Sequence, residues 1–113
     1  MDFAQYFKGD SDVVSAELNA LLEQLKTIQV KKGETLQQKG DHAKHAYFVT
    51  RGLLRSFTID NKGKEHIFMF APEGWIISDI QSTAMQSPAV LSIDALEDSE
   101  VQVIRADIFE QLI

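Results

Sequence analysis

Residues 47–74 read YFVTRGLLRSFTIDNKGKEHIFMFAPEG, and their pattern of short β-rich runs and turns indicates a β fold. Three short runs rich in β-branched and aromatic residues, at 47–50, 53–59 and 66–70, are each followed by a turn that contains glycine. Such residues favour strands, and glycine favours the turns between them. The segment Asp60-Asn61-Lys62-Gly63 predicts a hairpin turn, because Asn and Gly tolerate the positive φ angles that tight hairpins need.

The same pattern continues on both sides of this stretch. Further β-rich runs cover 92–96 and 101–105, and glycines recur at intervals of seven to twelve residues from Gly33 to Gly74. Short strands between regularly spaced turns predict an all-β sandwich or barrel. Alternation along the runs predicts five residues that point into its core, namely Tyr47, Val49, Leu53, Phe57 and Ile59.

Helical patterns flank the β-rich part. Apolar residues recur three or four positions apart from Leu18 to Ile28, which predicts one face of an amphipathic helix. The last residues return to helical spacing and end on two apolar side chains, as though a longer helix had been truncated. We therefore expect one domain over 1–113, with a helical part at 1–27, a β-roll at 28–105 and the start of a C-terminal helix at 106–113.

The composition is that of a soluble globular protein. Apolar residues make up 44% of the chain and charged residues 25%. No apolar run approaches the roughly 20 residues that a membrane span requires, and the N-terminus lacks the layout of a signal peptide. The chain has no cysteine. We therefore expect a cytoplasmic protein with no membrane contact, no disulfide and no iron–sulfur ligands.

The distribution of charge excludes one class of function for this segment. The formal net charge is −6, and no lysine or arginine occurs between Lys64 and Arg105, where seven carboxylates fall. A protein that grips a nucleic-acid backbone needs a basic face. We therefore predict that this segment does not itself bind DNA, and that a phosphate bound between those two positions would meet no neutralising cation.

A series of short motifs follows in order along the chain. They are Lys32-Gly33-Glu34-x-Leu36, Gly40-Asp41, Tyr47-Phe48-Val49-x-x-Gly52-Leu53-Leu54-Arg55, residues 60–65, Phe70-Ala71-Pro72-Glu73-Gly74, residues 95–101 and Phe109-Glu110-Gln111-Leu112. Their order and spacing resemble the cyclic-nucleotide-binding domain of the Crp/Fnr regulators. The resemblance implies a mainly β fold, a double-stranded, jelly-roll-like β-roll of about eight short strands flanked by N- and C-terminal helices.

The resemblance also implies where a ligand would bind. In that family a Gly-Glu pair opens a short helix whose backbone N–H groups hold the cyclic phosphate, the glutamate takes a ribose hydroxyl, and a later arginine neutralises the phosphate. In this chain Ser78 and Asp79 stand at the Gly-Glu pair, and Ala89 stands at the arginine. The implied, degenerate cassette comprises Gly74, Ile77, Ser78, Asp79, Ile80, Ser87, Ala89 and Val90.

The altered cassette residues predict that cyclic AMP and cyclic GMP do not bind. Asp79 is one methylene shorter than glutamate, and it would repel a phosphate that has no arginine beside it. An alternative is a new small-molecule site, with an apolar lining of Trp75, Ile76, Ile77, Ile80 and Met85 and polar groups on Asp79, Ser82, Thr83, Ser87 and Ser92. We favour the simpler interpretation, in which Ile76, Ile80 and Val90 belong to the core.

The remaining polar clusters do not predict catalysis. His42 and His45 lie three residues apart beside Asp41, but specific metal sites need more convergent ligands. No Ser-His-Asp set, Gly-x-Ser-x-Gly elbow or His-x-His motif is present. The carboxylates at 97, 98 and 100 are interpreted as solvated. We therefore predict no enzyme activity, no catalytic residue, no metal ligand and no cofactor.

By resemblance, the chain is expected to be the effector-sensing N-terminal domain of a Crp/Fnr-type bacterial transcription regulator. That regulator would act as a homodimer, respond to an unknown small-molecule effector or to none, and bind DNA only through a C-terminal domain missing from this chain. Two alternatives stay open. One is a functional cyclic-nucleotide-gated regulatory module, and the other is a cupin-like metalloenzyme.

Overall fold

Two four-stranded antiparallel sheets form the domain in the computed structural model, which describes residues 20, 23–79, 82, 85 and 87–105. The first sheet has the order β1-β8-β3-β6 and the second the order β2-β7-β4-β5. The strands are β1 (Lys26–Val30), β2 (Thr35–Gln37), β3 (His45–Arg51), β4 (Leu53–Ile59), β5 (Glu65–Pro72), β6 (Ile76–Ile77), β7 (Ser92–Ala95) and β8 (Ser99–Arg105).

This architecture confirms the predicted mainly β roll of about eight strands. The five runs that we singled out correspond to β3, β4, β5, β7 and β8. The hairpin between β4 and β5 turns where Asp60 and Gly63 predict it, with Gly63 at a φ of 81°. Asp60 fixes this turn, because its Oδ1 accepts hydrogen bonds from the backbone N–H groups of Lys62 and Lys64.

The hydrophobic core lies between the two sheets and takes residues from both. The first sheet contributes Val30, Tyr47, Val49, Ile77 and Val101, and the second contributes Leu54, Ala71, Ile93 and Ala95. Burial of this apolar surface is the main stabilisation of the roll. Tyr47 and Val49 therefore point inward as predicted.

The predicted inward face of β4 was wrong at its two ends. Leu54 and Ser56 are fully buried, whereas Leu53 is only half-buried and Ile59 is exposed. Pairing with β7 sets this register, since Leu54 lies opposite Ala95 and Ser56 lies opposite Ile93. A shift of one residue moves every side chain of a strand to the other face, so the apolar pattern alone did not decide which face is inside.

The predicted helices fall largely outside the described residues. This applies to most of the segment 1–27 and to all of 106–113. The strand β1 begins at Lys26, so Ile28, which we placed in the helical stripe, belongs to a strand instead. Among the described residues, no helix is long and apolar enough to cross a membrane.

Candidate functional site

The candidate site is the segment that connects β6, in the first sheet, to β7, in the second. Its entrance is fixed by the turn at Gly74, whose φ is 87° and whose N–H donates to the carbonyl of Val49 over 2.8 Å. The N–H of Val49 in turn donates to the carbonyl of Trp75 over 3.0 Å. These bonds hold the start of β6 against β3, and Ile77 at its end is buried in the core.

Asp79 makes three hydrogen bonds to the backbone of this segment. Its Oδ2 accepts hydrogen bonds from the N–H groups of Val90, over 2.8 Å, and Leu91, over 3.1 Å. Its Oδ1 accepts a longer bond of 3.3 Å from the N–H of Ser82. Only 3% of Asp79 is exposed. A buried carboxylate is costly unless it is hydrogen-bonded, and here the three N–H groups supply that compensation.

Ala89, which the resemblance aligned with an arginine, is enclosed by the loop between β2 and β3. Its N–H donates to the carbonyl of Asp41, and its carbonyl accepts from the N–H of Gly40, both over 2.7 Å. The neighbouring Pro88 forms a β-bridge with His42. Because only 3% of Ala89 is exposed, this position has no room for a long side chain.

The other predicted cassette residues are more scattered. Ser78 and Ser87 are half-buried, and the N–H of Ser87 donates to the carbonyl of Ser82 over 3.0 Å. Val90 is 56% exposed. Ile80 lies outside the described residues. Hydrogen bonds therefore join the side chain of Asp79 to the backbone of Ser82 and Val90. Ala89 is bonded to the Gly40–Asp41 turn instead.

Neither prediction for the apolar residues of this segment holds in full. Trp75 and Met85 are both more than half exposed, so they do not line an enclosed apolar pocket with Ile77. Ile76 is half-buried. Val90 is not a core residue, because its side chain faces solvent while its N–H turns inward to Asp79.

The sequence analysis did not single out Gln37, which lies beside the site. Gln37, in β2, is buried, and its Nε2 donates to the carbonyl of Leu91 over 3.0 Å. Two residues after Gln37, the N–H of Lys39 donates to Oγ of Ser92 over 3.0 Å. A short strand with two polar residues, Thr35-Leu36-Gln37, gives no periodic signal, so nothing in the sequence distinguished Gln37.

The histidines do not form a metal site. No group of three His, Cys, Asp or Glu side chains suited to a metal ion occurs among the residues that the structure describes. His66 lies 2.9 Å from Oδ2 of Asp60, whereas His45 begins β3 opposite Arg105. Burial, followed by the charges of Lys44 and Arg105, lowers the pKa of His45 below its ordinary 6.5.

Two of the carboxylates interpreted as solvated also make contacts within the protein, although Asp98 is exposed. Oδ1 of Asp98 accepts the N–H of Lys32 over 2.9 Å. Glu100 forms an ion pair of 2.8 Å with Arg51. Both contacts hold the corner where β8 begins, which gives these acidic residues a structural role.

The family model for the cyclic nucleotide-binding domain matches residues 27–113. Among curated proteins, the chain is 28% identical over 112 residues to the anaerobic regulatory protein of Bacillus subtilis, covering 98% of this chain and 47% of the relative. It is 32% identical over 96 residues to the fumarate and nitrate reduction regulatory protein of Vibrio cholerae, covering 85% of this chain and 37% of the relative. The chain thus spans less than half the length of either relative.

A solved structure shares the fold. The catabolite activator protein of Thermus thermophilus superposes with a TM-score of 0.75 at 19% sequence identity, covering 96% of this chain and 49% of that protein. At this identity the likeness establishes the β-roll alone.

Proposed function

The chain belongs to the cyclic nucleotide-binding domain family, and from that premise we propose that it is the sensing domain of a Crp/Fnr-type transcription regulator that does not bind cyclic AMP or cyclic GMP. Two relatives that carry the names of regulatory proteins support the regulatory role. In this proposal the effector is an unidentified small molecule or none, and the regulator is a cytoplasmic homodimer. DNA is contacted outside these 113 residues, because a net charge of −6 does not suit a DNA backbone.

The bonding of Asp79 is the observation that carries the proposal. A residue that accepts a ribose hydroxyl must present a free oxygen to the ligand. Both carboxylate oxygens of Asp79 already accept backbone N–H groups, and the residue is almost entirely buried. Three of the roughly four acceptor positions of the carboxylate are therefore in use, and burial keeps the remaining one from a ligand, so a nucleotide could reach Asp79 only by displacing the groups that cover it.

The segment around Asp79 supplies no cation of its own. No lysine or arginine occurs in the stretch 65–104, and the place of the phosphate-binding arginine is taken by the enclosed methyl group of Ala89. A cyclic phosphate brought close to Asp79 would meet a like charge. Repulsion between two unneutralised anions in a desolvated site opposes binding strongly.

The proposed mechanism places the signal at the end of β8. This strand runs through the middle of the first sheet, between β1 and β3, and ends at Arg105. A signal that changes how the roll packs on the segment after Arg105 would bias the regulator between two dimer states. The proposal assigns no catalytic step to the chain.

Calorimetric titration of the chain with cyclic AMP and with cyclic GMP tests the proposal. We expect no heat of binding with either nucleotide. Micromolar binding of either one would overturn it and favour a nucleotide-gated module. A thermal-shift scan with divalent metals tests the metalloenzyme alternative, for which a metal-dependent rise in melting temperature would be required.

A further inference from the structure

The three N–H groups around Asp79 form a compact anion-binding arrangement. Two of them come from the consecutive residues Val90 and Leu91, and the third comes from Ser82 on the near side of the segment. Successive backbone N–H groups that converge on one point bind anions, because their dipoles add there. In this chain the point is occupied by a carboxylate from the chain itself.

The three hydrogen-bond donors that hold the carboxylate of Asp79 are uncharged. No lysine or arginine lies between Lys64 and Arg105 in sequence, and the described contacts of Asp79 are with backbone groups alone. Neutral donors therefore stabilise the negative charge. Although 56% of Val90 is exposed, its N–H is directed to Oδ2 of Asp79.

We propose that Asp79 is an internal anion, which fills an anion-binding site formed by the backbone of Ser82, Val90 and Leu91 and ties these three residues to the end of β6 without a ligand. The inference rests on the proposed function only in treating this segment as the family's cassette. It adds that the site remains able to bind a small carboxylate when the side chain of Asp79 is removed.

Chemical rescue of Asp79→Ala tests the inference. We expect the variant to melt about 5–10 °C below the parent chain, because three N–H groups lose their acceptor. Sodium formate, which has the size and charge of the missing group, is expected to restore part of that loss relative to sodium chloride of equal ionic strength. Trimethylacetate has the same charge and a larger body, so it is expected to restore none.

Asp98→Ala is the matched control, because Asp98 also accepts a backbone N–H but is exposed. Water replaces its carboxylate, so formate is expected to leave its melting temperature unchanged. Equal rescue of both variants, or equal rescue by trimethylacetate, would indicate a general salt effect and overturn the inference. A destabilised but folded Asp79→Ala chain that formate does not stabilise would overturn it as well.

Hydrogen exchange of the unaltered chain covers the case in which Asp79→Ala does not fold. The amides of Val90 and Leu91 are expected to exchange far more slowly than the amide of an unbonded loop residue. Rapid exchange at Val90 would overturn the inference. None of these outcomes depends on nucleotide titration, so a failure of the internal anion and a failure of the proposed function are distinguishable.

Discussion

Ser99, at the start of β8, packs directly against Gly52, the single residue between β3 and β4. A Cβ atom added to Gly52 would lie 2.7 Å from the Cα of Ser99, a separation that real Cβ atoms do not reach. Ser99 is fixed there, because its Oγ accepts the N–H of Leu53 and donates to the carbonyl of Glu97. The corner between the two sheets is therefore a contact between two backbones.

This contact predicts that Gly52→Ala destabilises the roll severely. The φ of Gly52 is +101°, which strains any side chain, and the clash with the backbone of Ser99 adds to that strain. We expect a loss of about 2–5 kcal/mol in the free energy of unfolding, measured by urea titration. Gly63→Ala is the control, because its φ is +81° with no atom within 4 Å, and its loss is expected to be about 1 kcal/mol. Equal losses would show that the close approach is not decisive.

The enclosure of Ala89 predicts that the family's binding groups cannot simply be restored. Arginine at this position would place a charged side chain where only 3% of the residue is exposed. We expect the double variant Asp79→Glu/Ala89→Arg to melt at a lower temperature and to give no heat of binding with cyclic AMP. Val90→Arg, at an exposed neighbouring position, is expected to melt within a few degrees of the parent chain. Nucleotide binding by a stable double variant would contradict this prediction.

The contacts of Arg55 predict that the stability of the roll depends on the planar shape of its guanidinium as well as on its charge. Its guanidinium donates to both oxygens of Asp94, pairs with Glu65 over 2.7 Å and lies 4.0 Å above the ring of Phe57. Lysine cannot reproduce a planar, two-pronged contact. We therefore expect Arg55→Lys to lower the free energy of unfolding by about 1–2 kcal/mol in urea titration.

Arg51→Lys gives the comparison for Arg55. Arg51 pairs with Glu100, but its side chain is 72% exposed, so water and salt screen the ion pair. We expect a change below about 0.5 kcal/mol. If Arg55→Lys and Arg51→Lys lowered the free energy of unfolding equally, the guanidinium geometry at Arg55 would contribute nothing to stability beyond its charge.

The sequence predicted the turns and strands well, because their signals are local. Gly63 and Asp60 act within a few residues of each other, and alternation identified Tyr47 and Val49 as core residues. Phe57 is buried as predicted, but Leu53 and Ile59 were misplaced because the inward face of β4 depends on its pairing with β7, in which Leu54 lies opposite the sequence-distant Ala95. Local pattern carries no information about such a register.

The position of the ligand site stays a prediction, and the bonding of its residues required the structure. The sequence singled out Asp79 and Ala89 as departures from a family pattern, which is a statement about residue types. That Asp79 bonds to the N–H groups of Val90 and Leu91 depends on how the segment folds back after ten intervening residues. The enclosure of Ala89 by Gly40 and Asp41 arises from a loop that precedes it by about fifty residues and has no local sequence signal.

His45 predicts that the stability of the roll falls in mildly acidic solution. Burial and the neighbouring charges of Lys44 and Arg105 lower its pKa below 6.5 in the folded chain, and its ring lies 6.2 Å from that of Tyr47. Between the two pKa values the unfolded chain binds more protons than the folded one, so stability rises with pH there. The full contribution is therefore present above pH 6.5 and is lost as the pH falls below that value.

Urea titrations across this pH range measure the effect in the unaltered chain and in His45→Gln. As the pH falls from neutral to the folded pKa of His45, we expect the free energy of unfolding to decrease less in the variant than in the parent chain, because glutamine takes up no proton. His42→Gln, which removes an exposed histidine from the preceding loop, leaves His45 and its charged neighbours in place and is expected to retain the decrease. If the free energy of unfolding of His45→Gln fell with decreasing pH as steeply as that of the parent chain, the acid sensitivity would come from groups other than His45.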